Sequence, residues 1–93
     1  MSSAFVETNT ESTMNVNVLY FASLADEANC HEEKVAVDAS TSLAQLYAQL
    51  QQKHRFSRAQ SDLRVAVNDY FAKWTDPIQE GDSIVFITPV AGG

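Results

Sequence analysis

One helix has to serve every strand in this chain. Across 93 residues, only the stretch from Ser42 to Lys53 carries apolar side chains at sustained helical spacing, with Leu43, Leu46, Tyr47 and Leu50 at i, i+3, i+4 and i+7. Ser42 and Gln45 are spaced as a capping box at its start, and Gln45, Gln49, Gln51, Gln52 and Lys53 fill most of the remaining surface. Basic Lys53, His54 and Arg55 suit the negative end of the helix dipole. Such a helix has a single face to bury.

The segments around it read as strands. Val16 to Ala22 (VNVLYFA) is rich in β-branched and aromatic residues and gives a first strand, Ser23 to Asn29 a short helical turn, and Lys34 to Val37 a second, more exposed strand paired with the first. Leu63 to Asn68 gives a third strand, Asn68-Asp69 a turn, Tyr70 to Ala72 a short fourth strand, and Ser83 to Thr88 a last one. Asp76-Pro77 and Glu80-Gly81-Asp82 are turns, and Pro89 ends ladder pairing. Residues 1–13 show no sustained period and are expected to form a flexible arm, residues 14–88 the domain, and residues 89–93 a free tail. The expected class is α+β, a small mixed sheet packed on one main helix.

A sheet covered by one helix should alternate apolar and polar residues, because its second face meets water. These strands do not alternate. In the first, Val18 and Tyr20 oppose Leu19 and Phe21; in the last, Ile84 and Phe86 oppose Val85 and Ile87. One apolar sheet face therefore lacks an internal cover, which marks a protein interface unless short helices near Leu24 and Phe56, or a loop, lie over it.

Composition narrows the partner. Six Lys and Arg stand against twelve Asp and Glu, for a net charge of −6, which argues against nucleic-acid or membrane-surface binding. The apolar runs are too short to span a bilayer and the N-terminus lacks a signal-peptide pattern, so the chain is expected to be soluble and cytoplasmic. A single cysteine, Cys30, agrees with a reducing compartment.

No constellation inside the domain reads as catalytic. Cys30-His31-Glu32-Glu33 sets four ligand-type residues in a row, but neighbours on an extended segment point to opposite sides, so a solvated loop is the expectation and a metal site is not. A thiol enzyme would need a base beside Cys30, for which adjacency of His31 in sequence is no evidence. Glu80 and Asp82 are expected to be solvated turn residues, and Lys53 to Arg58 a solvated helix end.

The terminus is different. Of three glycines, two are Gly92 and Gly93. Without Cβ atoms they can pass a channel too narrow for other residues and present an unhindered carboxylate, which becomes reactive once converted to an acyl-adenylate. A carrier that uses its own C-terminus as the chemical handle fits this shape; a frayed tail would explain flexibility alone.

With these features in place, Met14 to Gly93 resembles the ubiquitin-like sulfur carriers and most closely the MoaD family, the small subunits of molybdopterin synthase. The matching stretches are Val16 to Ala22, Ser42 to Leu46, Val65 to Asn68, Asp76-Pro77-Ile78, Glu80-Gly81-Asp82, and Ile84 to Gly93 (IVFITPVAGG). The resemblance implies a β-grasp fold, adenylation of Gly93 by an E1-like activating enzyme with ATP, and sulfuration to a thiocarboxylate. It implies insertion of Pro89, Val90, Ala91, Gly92 and Gly93 into the large subunit, where the sulfur passes to cyclic pyranopterin monophosphate. It places partner contacts on Phe21, Phe71 and Ile87, with no resident cofactor or metal and no catalytic side chain in this chain. Sulfur delivery for thiamine, cysteine or tRNA thiolation, and a non-covalent docking module, are the alternatives. Thr88-Pro89-Val90 departs from the family's usual Pro-Pro-Val, and Ala25 stands where an Arg is often found.

Overall fold

The computed structural model describes residues 13–88, so the expectations of a flexible arm over residues 1–13 and a free tail over residues 89–93 fall outside the described residues, except that Thr13 belongs to the first strand. The elements run β1 (Thr13–Tyr20), α1 (Ala22–Ala28), β2 (Glu32–Asp38), α2 (Leu43–His54), a 3-10 turn (Gln60–Asp62), β3 (Arg64–Val67), β4 (Tyr70–Ala72) and β5 (Ser83–Ile87). The sheet order is β2-β1-β5-β3-β4. β1 and β5 run parallel at its centre, while the β1–β2, β3–β5 and β3–β4 pairs are antiparallel.

The two strands with apolar residues at both parities are the central parallel pair. Their inward positions, Val16, Val18 and Tyr20 on β1 and Ile84 and Phe86 on β5, are buried with Val65 of β3 beneath Leu43, Leu46, Tyr47 and Leu50 of α2. Each such side chain contributes about 1.5–3 kcal/mol when removed from water. Aromatic rings tie the layers together: Tyr47 meets Phe86 edge-on at 5.1 Å between centroids and stacks on Phe56 at 5.9 Å, and Trp74 stacks on Phe86 at 5.9 Å.

The helix boundaries follow from local chemistry. The Ser42 N–H donates to Gln45 Oε1 at 2.9 Å and the Gln45 N–H to Ser42 Oγ at 3.2 Å, the reciprocal capping box expected from the sequence. Arg55, with φ of 58°, ends α2 in the left-handed region, and Asn29, with φ of 62°, ends α1 in the same way.

Several boundaries differ from the sequence reading. β1 begins at Thr13, not Val16, because its antiparallel ladder with β2 runs from Thr13↔Asp38 to Leu19↔Glu32. That ladder also makes β2 seven residues long rather than four. The 3-10 turn at Gln60–Asp62 carries no apolar period and was not expected.

Candidate functional site

Side-chain alternation and strand register together build the outer face of the sheet. Leu19 is paired with Val85, Val85 with Ala66, and Ala66 with Phe71, so these four lie in one row across β1, β5, β3 and β4. Two residues further along, Ile87 pairs with Arg64 on the same face. Phe21, two residues beyond Leu19, and Ile87, two beyond Val85, extend the parallel pair at the end where the chain leaves β5.

Phe21, Phe71 and Ile87 thus share one face. Phe21 is 54% and Phe71 70% exposed, while Leu19, Val85 and Ile87 are half-buried. Phe21 keeps its place because the backbone turns sharply after it: Ala22 has φ of 54°, in the left-handed region, as β1 gives way to α1. The segments that could have covered this face go to the other side. Leu24, Ala25 and Ala28 of α1, together with Phe56 and Leu63, belong to the buried core. Pro89, Val90, Ala91, Gly92 and Gly93 lie outside the described residues, after Thr88 at the same end of the patch.

The strand leading toward that tail is anchored at its start. In the β3–β4 turn Asn68 and Asp69 adopt φ of 52° and 77°. The Asn68 N–H donates to the Ser83 carbonyl at 2.9 Å, its Oδ1 accepts from the Ser83 N–H at 3.0 Å, and its Nδ2 donates to Asp82 Oδ1 at 2.9 Å. Asp82 Oδ2 accepts from the Gln79 N–H and Glu80 Oε1 from the Asn15 N–H, both at 2.9 Å. Glu80 and Asp82 are therefore turn residues that accept backbone and side-chain N–H groups, Glu80 exposed as expected from the sequence and Asp82 half-buried.

A second correction concerns Cys30-His31-Glu32-Glu33 and the end of α2. Glu32 and Glu33 open β2 rather than a loop, and alternation turns Glu33 inward. Its Oε2 accepts from the Tyr20 hydroxyl at 2.5 Å and from His54 Nε2 at 2.7 Å, and its Oε1 accepts from Lys53 Nζ at 3.1 Å. Because an ionised carboxylate has no proton to give, the His54 ring carries a proton on Nε2. Burial alone would raise the Glu33 carboxyl, but these three donors outweigh it and hold it at about 2. Burial, and then the hydrogen bond to Glu33, push the Tyr20 hydroxyl well above its ordinary range.

His31 is exposed and Cys30 half-buried against the core. Among the described residues, no three His, Cys, Asp or Glu side chains come together in a way that could hold a metal ion. No helix among them is long and apolar enough to cross a membrane.

The profile of the ThiS family matches residues 18–93. The chain belongs to the ThiS family. This family member is 37% identical over 84 residues to the molybdopterin synthase sulfur carrier subunit of Mycobacterium tuberculosis, covering 86% of this chain and 99% of that one. It is 31% identical over 80 residues to the protein of the same name in Escherichia coli, covering 84% and 99%. Among solved structures, it superposes on a chain of the complex of subunits 1 and 2 of molybdopterin-converting factor from Helicobacter pylori, with a TM-score of 0.58, 30% identity, and coverage of 86% and 100%. It also matches the ubiquitin of Caldiarchaeum subterraneum, with a TM-score of 0.62 at 14% identity over 87% and 99%. The fold is the ubiquitin-like β-grasp.

Proposed function

We propose that this chain is the sulfur-carrier subunit of a molybdopterin synthase, working in the cytoplasm with a large subunit and an E1-like activating enzyme. The observation that carries the reading is the apolar sheet face on which exposed Phe21 and Phe71 flank half-buried Ile87, set beside the strand that leads to Gly92 and Gly93. Relatives at 31–37% identity bear the name of that subunit, which favours this pathway over thiamine, cysteine or tRNA thiolation.

The chemistry needs little from the domain beyond placement. A Gly93 carboxylate oxygen attacks the α-phosphorus of ATP in the activating enzyme, releasing pyrophosphate and leaving an acyl-adenylate. A sulfide-level nucleophile then displaces AMP, giving a thiocarboxylate. Docked on the large subunit, the sheet face fixes where β5 ends, so residues 89–93 enter the partner's active site and the sulfur attacks the pterin precursor. Water restores the carboxylate. The carrier holds no ATP of its own and supplies no catalytic side chain.

The test is reconstitution. Thiocarboxylated chain mixed with large subunit and cyclic pyranopterin monophosphate yields molybdopterin, whereas chains lacking Gly93, or extended by one residue after it, yield none while keeping the same circular-dichroism spectrum and melting temperature. Undiminished product from either variant contradicts the proposal.

A further inference from the structure

Across β1, β5, β3 and β4, the outward-facing positions carry one charge, that of Arg64. It sits on β3 directly opposite Ile87, and its guanidinium carbon lies 6.0 Å from the centre of the Phe71 ring. Among the described residues it has no ion-pair partner; the ion pairs there are those of Glu33 with Lys53 and His54. The outward acid nearest in the register is Glu32, paired with Leu19 on the far edge strand. At about 4.8 Å per strand and 3.4 Å per residue, Glu32 is about 16 Å from Arg64, roughly two Debye lengths at physiological salt. A chain with a net charge of −6 thus presents a locally cationic apolar face.

We infer that Arg64 is a specificity determinant of the docking face, and that the surface it meets on the large subunit carries an Asp or Glu carboxylate set among apolar side chains. The inference rests on the docking reading above and adds the partner's chemistry to it. Phe21, Ile87 and Phe71 exclude water when the face is covered, so an unpaired guanidinium would be left desolvated among them. A carboxylate satisfies it bidentately, and the Phe71 ring, 6.0 Å from the guanidinium carbon, offers the cation a π face on one side. A charge pair of this kind selects among apolar partners and speeds encounter. A second copy of this chain fits poorly, because its own sheet would bring another Arg64 in place of a carboxylate.

Titration calorimetry of the large subunit with the full chain, at about 50 and 500 mM NaCl, tests this for wild type, Arg64→Leu, Arg64→Glu and Phe21→Ala. Wild type weakens several-fold with salt; Arg64→Leu binds about tenfold more weakly at low salt and loses most of that salt dependence; Arg64→Glu binds about 100-fold more weakly and recovers in part at high salt. Arg64→Leu with wild-type affinity and salt dependence, alongside a weakened Phe21→Ala, overturns the role of Arg64 and leaves the docking face standing. Phe21→Ala with wild-type affinity overturns the docking face and this inference with it. Each variant changes an exposed side chain, and matching melting temperatures confirm that all are folded.

Discussion

Glu33 shows how a single inward turn of a side chain converts a surface acid into a structural one. Its side chain is 16% exposed and accepts from Tyr20, His54 and Lys53, joining β1, β2 and the last turn of α2. Because its folded pKa of about 2 lies below the unfolded value of 4.5, the stability it contributes is present above about pH 4.5 and is lost as pH falls toward 2. Glu33→Gln is expected to lower the unfolding free energy by about 2 kcal/mol at pH 7, after allowance for partial solvation. Urea titrations at pH 7 and pH 3 check this: the gap between wild type and variant should shrink at the lower pH. Tyr20 acts at the other end of the scale, since a folded pKa above the unfolded one leaves stability intact below about pH 10 and erodes it beyond. None of this was legible in the sequence. Glu33 and His54 are 21 residues apart, and their meeting depends on the register of β2 against β1 and on where α2 stops.

The elements were more legible than their junctions. The α2 helix could be read because its start carries side chains that satisfy orphan N–H groups, so Ser42→Ala should cost about 1 kcal/mol in a denaturant titration without altering partner binding. β1 and β5 could be read as unusual because both parities are apolar, and both are interior strands of the sheet, as is the shorter β3. Their parallel pairing could not be read, since it is set by α2 crossing over the sheet and by β5 slotting between β1 and β3, not by any local pattern. Phe21, just past the end of β1, and Phe71, on β4, belong to the outer face of the sheet. Their truncation to Ala removes exposed rings, so melting temperatures should hold while affinity for the large subunit falls at least tenfold. A fall in melting temperature with unchanged affinity would place the rings in the core instead.

At the scale of the whole molecule, one α+β domain divides its apolar residues between two jobs. The inner face of the sheet is closed by α2, with α1 and the Phe56 and Leu63 segments completing the core. The outer face keeps Phe21 and Phe71 in solvent and has Arg64 as its central charge. Phe21, Phe71 and Ile87 could be named before the fold was known from the family resemblance, Phe21 and Ile87 lying within matching stretches and Phe71 between two of them. Arg64 was hidden inside the apolar run Leu63 to Val67, where alternation alone does not say which face meets water. The account as a whole turns on Gly93. Intact mass spectrometry of the chain co-expressed with an E1-like activating enzyme and a sulfur donor should show one oxygen replaced by sulfur. Fragmentation should place that sulfur on the terminal carbonyl, in Cys30→Ala as in wild type, and a chain lacking Gly93 should show none. An unmodified wild-type mass under those conditions, or sulfur found on Cys30, would contradict the carrier function.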